Sequence, residues 1–118
     1  MTKDPTIDNV CIIIYISPSA LKSNSLNEVL WGIEEEGIPY CIKESSDALA
    51  QVQSHQASID SVLGVGIGFG TDDRITVHSS RLEKDHPLLK VRRDEPLYNL
   101  RNIGANAARL VKGIPFKL

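Results

Sequence analysis

The apolar residues of this chain change rhythm along its length. Val10-Cys11-Ile12-Ile13-Ile14-Tyr15-Ile16 is an almost wholly apolar, β-branched run. A strand with apolar residues in both side-chain rows has to be covered on both faces, which favours a central strand of a parallel sheet with helices above and below. From Leu26 the spacing becomes helical. Leu26, Val29, Leu30 and Ile33 follow i, i+3, i+4, i+7 and predict a helix over 26–36 with its core stripe on that side. Ser23 or Ser25 can cap it, and for a cap at Ser25 the capping-box position falls on Glu28. Gly37 supplies a left-handed residue past its end, and Pro39 blocks continuation.

The remaining elements follow from similar signals. Strands are predicted over 39–43, 62–69, 74–78 and, as a short edge strand, 88–91, with a helix over 47–56. The last helix is predicted over 97–112, with Asp94 as a candidate cap, Pro96 near its first turn and Gly113 at its end. The apolar tail Ile114-Pro115-Phe116 needs a cover, either the domain itself or a partner. The order of elements places the chain in the α/β class, as one domain over 1–118 with a loose segment over 1–8. Its 118 residues contain no repeat and no linker.

Two segments invite a ligand reading. The connection 17–25 leaves the carboxyl end of the first strand, where open α/β sheets place ligand loops, but it lacks the glycines of a dinucleotide fingerprint. Gly64, Gly66, Gly68 and Gly70 alternate with Val65, Ile67 and Phe69. Period two puts these glycines on one face of a strand, bare of side chains, so a helix or partner backbone can approach closely. A phosphate cradle needs glycines in a turn that feeds a helix, which is a different arrangement.

Composition narrows the function classes. A formal net charge of -2 gives no global attraction to nucleic acid or anionic lipid, although Arg92, Arg93, Arg101, Arg109 and Lys112 collect in the last third. No apolar run is long enough to span a bilayer. No signal peptide opens the chain, so a cytoplasmic protein is expected, or one enclosed in a larger cytoplasmic body. Cys11 and Cys41 sit in apolar runs and read as small core residues. His55, His78 and His86 have no metal-like spacing, and no nucleophile elbow surrounds Ser79 and Ser80.

The first helix carries more information. With Ile33 at 0° on a wheel of 100° steps, the core stripe lies within about 60°, Trp31 near about 160°, Glu35 near about 200° and Glu28 near about 220°. The only tryptophan therefore points away from the core, with Glu35 one turn on. It is either a partner anchor or an indole covered by a local loop or the tail. Glu34-Glu35-Glu36 stands at a helix C-terminus, where the macrodipole disfavours negative charge by about 0.3–1 kcal/mol per exposed group. One member is expected to meet a cation, an Arg or Lys of a partner or a shared metal. In the last helix Leu97, Leu100, Gly104, Ala107, Ala108 and Val111 form one face, able to pack closely on a sheet near the glycine strand. Asn99, Asn102, Asn106 and Arg109 lie opposite, as partner contacts or wet surface.

Two stretches carry a family resemblance. Leu30-Trp31-Gly32-Ile33-Glu34-Glu35-Glu36-Gly37-Ile38-Pro39 and the segment from Gly104 through Asn106, Ala107, Ala108 and Arg109 to Phe116 resemble the small subunit of the diol/glycerol dehydratase reactivating factor. Val62–Ile67 followed by Ile75–His78 fits the middle of that family. The resemblance implies a three-layer, Rossmann-like α/β domain with a mainly parallel sheet, similar to the dehydratase medium subunit. It implies a chaperone-like, ATP-dependent role: the factor frees damaged cobalamin from inactivated dehydratase by subunit exchange. The small subunit is then not an enzyme. The large subunit, similar to heat-shock chaperone ATPase domains, binds ADP or ATP, and two large and two small subunits form a heterotetramer. The middle glutamate of the Glu-Glu-Glu run, Glu35 here, helps ligate Mg2+ at the contact with the large subunit. The interface is expected to use Glu28, Trp31, Glu35, Asn102, Asn106 and Arg109, with diol or glycerol dehydratase as client and a location in the cytoplasm or a bacterial microcompartment.

Two rival readings remain. One is the medium subunit of a cobalamin-dependent dehydratase itself, for which a longer chain and cobalamin contacts are expected. The other is a small α/β enzyme using His78 or His86 with an acid, for which no coherent nucleophile and base stand out.

Overall fold

A computed structural model describes residues 10–117. The expectation for 1–8 lies outside the described residues. The elements are β1 (Ile12–Ile16), a 3-10 turn (Pro18–Ala20), α1 (Asn24–Glu35), β2 (Tyr40–Glu44), α2 (Ala50–Asp60), β3 (Val65–Phe69), β4 (Arg74–Ser79), β5 (Leu89–Arg92) and α3 (Leu97–Lys112). They form a five-stranded sheet in the order β2-β1-β3-β4-β5. β1 pairs in parallel with both β2 and β3, while β4 pairs antiparallel with β3 and β5. The sheet is therefore mixed: the parallel expectation holds at β2-β1-β3 and stops there. The tight turn at Asp72-Asp73, with Asp73 at φ 58°, returns the chain as a hairpin with no room for a crossover helix.

Register explains the apolar run of β1. Ile42, Ile14, Ile67, Val77 and Leu89 stand in one row across the sheet, on the side of α1 and α3. Ile12, Ile14, Ile16, Ile67, Phe69 and Ile75 are fully buried there. Each such side chain contributes roughly 1.5–3 kcal/mol relative to exposure. The other row of β1, Ile13 and Tyr15, packs together with the preceding Cys11 against Ala57 of α2 and Cys41. β1 is thus apolar in both rows because both rows are covered.

The bare face of β3 receives α2. A Cβ placed on Gly66 would lie 2.3 Å from the amide nitrogen of Ser58, and one on Gly68 would lie 2.2 Å from the carbonyl oxygen of Ala50. The helix that fits so close is small and polar on its inner side: Ala50, Gln53, Ser54, Ala57 and Ser58 are buried. This is why its sequence has a weak helical stripe and why the predicted range, 47–56, starts and ends too early against the observed Ala50–Asp60. Its buried hydroxyls are satisfied locally, Ser54 Oγ donating to Gln51 O at 3.0 Å and Ser58 Oγ to His55 O at 2.7 Å. Gly64 lies before the strand, at φ +75°, rather than on its face.

α1 starts where one of the two candidate caps placed it. Ser23 is the N-cap and its Oγ accepts from the Leu26 amide at 3.3 Å. No capping box forms at Ser25, since Glu28 is engaged elsewhere. Gly37, at φ +77°, lies just past the helix end. α3 spans the predicted residues, but its N-cap is Pro96, without a side-chain cap. Asp94 instead pairs with Arg92 at 3.1 Å, two residues earlier. The small residues of α3 divide between two neighbours: a Cβ on Gly104 would lie 1.9 Å from Val29 O of α1, while Ala107 and Ala108 join Val65, Ile67 and Phe69 of the glycine strand in the core, on the face opposite α2.

Candidate partner interface

The surface singled out by the sequence is the seam between α1 and α3. Three close contacts run along it in the same order on both helices: Glu28 with Arg101, Gly32 with Arg101 and Ala105, Glu36 with Arg109. The helices are therefore parallel. Each carries a charge, a small residue and a charge four residues apart: Glu28, Gly32 and Glu36 opposite Arg101, Ala105 and Arg109. At the middle rung a Cβ on Gly32 would stand 2.0 Å from Arg101 O. Backbones this close leave the flanking side chains no choice but to meet.

At the upper rung Arg101 holds two carboxylates. Its Nε and Nη2 reach Glu28 Oε1 at 3.1 and 3.0 Å, and its Nη1 lies 3.6 Å from Glu35 Oε2. The guanidinium sits 5.4 Å from the ring centre of Trp31. That stacking is worth about 0.5–1 kcal/mol at an exposed site. Trp31 is 47 % exposed, so neither a loop nor the tail seals it. Leu97 and Tyr98, the latter 70 % exposed, stand at the start of α3 on a groove of about 510 Å³ that Glu28, Glu35 and Arg101 line with Asn102 and Lys117.

Glu28 is only 8 % exposed, which corrects the expectation that it faces outward. A wheel built on one helix finds the side facing the sheet. It does not see that α3 covers a second flank, centred on Gly32. Leu97 is the converse correction, assigned to the inner face but exposed because it precedes the point where α3 reaches the sheet. Asn106 is 7 % exposed and not part of an open stripe. Its amide clamps the tail, accepting from Lys117 N at 2.6 Å and donating to Lys117 O at 3.0 Å. Arg109 likewise turns inward, donating to Glu36 at 3.0 Å and to Pro115 O at 3.1 Å. The tail thus docks on its own domain.

Of the acidic run at the end of α1, Glu36 meets its cations within the same chain. Glu36 accepts from Lys112 Nζ at 2.7 Å and from Arg109 Nε at 3.0 Å. Those two hydrogen bonds, Lys112 first, hold its carboxyl below the ordinary value of 4.5. Glu34 accepts from the Tyr40 hydroxyl at 2.7 Å. Burial, then that hydrogen bond, pushes Tyr40 up to about 12. Among the described residues Glu35 has only the long arm of Arg101, at 3.6 Å. Because the folded Glu36 carboxyl is more acidic than the unfolded one, its stabilisation is complete above pH 4.5 and fades as pH falls through its lowered folded value. Acid denaturation should therefore show Glu36→Gln losing less stability than wild type below pH 4.5, with the two converging at low pH; parallel curves would refute the assignment.

Sequence reasoning missed Arg101 as the centre of the site, together with Leu97, Tyr98 and Lys117. The signal was present as matched four-residue spacings in two helices, but it becomes visible only once those helices are known to be neighbours. Among the described residues no group of three or more His, Cys, Asp or Glu is placed to hold a metal ion. His78 is fully buried, its ring nitrogens 3.0 Å from Ser79 O and 3.3 Å from Lys84 O, and its ring 4.9 Å from that of His55. His86 lies exposed on a turn beside Glu83. The histidines are not gathered around a nucleophile. No helix is long and apolar enough to cross a membrane among the described residues.

The structure defines a mixed α/β domain whose organised surface is an ion-paired helix seam rather than a pocket of reactive groups. The chain belongs to the dehydratase medium subunit family, whose model matches residues 11–117. It is 43% identical, over 90 residues, to the propanediol dehydratase-reactivating factor small subunit of Citrobacter freundii, which covers 76% of this chain and 77% of that one. Among solved structures, a glycerol dehydratase reactivase superposes with a TM-score of 0.87 at 29% identity, over 92% of this chain and 96% of that chain. The diol dehydratase-reactivating factor complexed with ADP and Mg2+ superposes with a TM-score of 0.84 at 36% identity, over 91% and 96%.

Proposed function

We propose that this chain is the small, non-catalytic subunit of a reactivating factor for diol or glycerol dehydratase, and that the α1–α3 seam is where it docks on the large subunit. The observation that carries the docking surface is the half-exposed Trp31, stacked on an arginine that Glu28 holds in place beside Glu35. Bulky aromatic anchors beside desolvated charge dominate protein interfaces. The names of the relatives support the reactivating role, and the family model supports a likeness to the dehydratase's own medium subunit. That likeness suits a mechanism of exchange, in which one surface fits either partner and the large subunit's nucleotide state biases the choice by its differential affinity. We read the fold as a reduced Rossmann-like, three-layer domain.

We assign ADP or ATP to the large subunit, a reading supported by the glycine face of β3 being filled by α2. For Mg2+ this chain can offer Glu35. Its carboxylate is 46% exposed and only loosely paired, so it fits as a single ligand, with the others coming from the partner and water. The ion would supply positive charge facing the Glu35 carboxylate. A complex of two large and two small subunits, and a cytoplasmic or microcompartment location, complete the reading.

Mixing the purified chain with the large subunit, ADP and Mg2+ should give one complex by native mass measurement. That complex should restore activity to dehydratase inactivated with damaged cobalamin, while the large subunit alone should not. Equal recovery with and without this chain would overturn the proposal.

A further inference from the structure

We propose that Arg101 is a positioning residue for docking: Glu28 and Trp31 anchor its guanidinium in the seam, and its remaining arm holds Glu35, which it yields to a cation carried by the partner. The inference rests on the seam being the docking face and goes on to say how that face works.

The distances divide the fork unequally. Two nitrogens of Arg101 lie on Glu28 Oε1 at 3.1 and 3.0 Å, and the third is 3.6 Å from Glu35 Oε2, outside hydrogen-bond length. Glu28 is buried, so losing the guanidinium would leave an uncompensated charge, which is strongly unfavourable. Glu35 is half solvated, and such a pair is held weakly. When Glu35 turns to a new cation, Arg101 stays neutralised by Glu28 and stacked on Trp31, and no buried charge is orphaned. The neighbouring carboxylates lack this freedom, Glu36 being held by Arg109 and Lys112 and Glu34 accepting from Tyr40. The matching partner surface carries positive charge beside an apolar group that fits against Leu97 and Tyr98. That charge is either an Arg or Lys side chain or a divalent ion held between the chains. Until it arrives, Arg101 competes with it for Glu35.

Arg101→Lys keeps a charge opposite Glu28 and removes the forked third arm. Its association with the large subunit should tighten by about threefold when Glu35 is present, the scale of one exposed ion pair, and should not change in the Glu35→Gln background. Persistence of this gain with Mg2+ replaced by a chelator assigns the cation to a side chain; its disappearance assigns it to the ion. In the free chain, the Arg101 Nε–H resonance should survive Glu35→Gln, because Glu28 supplies the anchor. Loss of that resonance, weaker or unchanged binding of Arg101→Lys, or the same effect in both backgrounds would overturn the proposal. If Trp31→Ala and Glu35→Gln both bind as wild type, the docking face itself is wrong and the proposal falls with it. Trp31-dependent binding without the Arg101→Lys gain overturns the proposal alone.

Discussion

Gly32→Ala should cost this protein about 2–4 kcal/mol, a large part of the roughly 5–15 kcal/mol that holds a domain of this size together. The added methyl carbon would stand 2.0 Å from Arg101 O, 2.8 Å from Ala105 N and 3.0 Å from Arg101 C. All three are backbone atoms of α3, so no side chain can swing aside. The helices would have to part by roughly an ångström to restore van der Waals distance. That movement would open the apolar layer formed by Val29, Ile33, Leu100 and Ile103 beneath the seam. It would also draw Arg101 away from Glu28, so partner association should fall together with stability. Urea unfolding at unchanged slope measures the effect. Gly37→Ala is the control. Nothing lies within 4 Å of its added carbon, and only its φ of +77° is strained, so a loss of about 1–2 kcal/mol is expected. Equal losses for the two substitutions would show that backbone conformation, and not helix contact, sets the cost at Gly32.

Trp31→Ala should weaken association with the large subunit by about 2 kcal/mol, roughly 30-fold in Kd. Its effect on the stability of the free subunit should stay within about 1 kcal/mol. The separation of the two effects follows from its position. The indole is 47 % exposed, leaves the sheet-facing side of α1 and carries the Arg101 guanidinium 5.4 Å from its ring centre. Removing it uncovers the guanidinium without emptying the core. Calorimetric titration of the two subunits reads the first number and denaturant unfolding the second. An unchanged Kd would remove the docking face from the seam. A large loss of stability would mean that the indole is structural.

The two substitutions test different flanks of one helix; the sequence set Trp31 apart from the core stripe without help, whereas the Gly32 flank is defined only by the arrival of α3. The spacing of Leu26, Val29, Leu30 and Ile33 required an inward side and left Trp31 outside it, because a helix of fixed pitch has only one way to bury that stripe. The apolar run of β1 required cover on both faces for an equally local reason, and the alternating glycines of β3 required a close backbone neighbour. Those demands are written in the order of residues, since period and side-chain size are properties of a single element.

What the tertiary structure alone decided is who meets whom. Glu36 finds Arg109 and Lys112 at sequence separations of 73 and 76 residues, and Glu28 finds Arg101 at 73. No local rule relates such positions. The acidic run at the end of α1 looked in need of an outside cation because its partners lie on another helix. The concealment of Glu28 has the same origin: it depends on a second helix arriving at a particular distance, set here by two glycines that let α1 and α3 touch backbone to backbone. The burial of Asn106 depends in the same way on the tail folding back onto α3. Period fixes which side of a helix is apolar, whereas contact between elements fixes which charges are answered within the chain and which are left facing a partner.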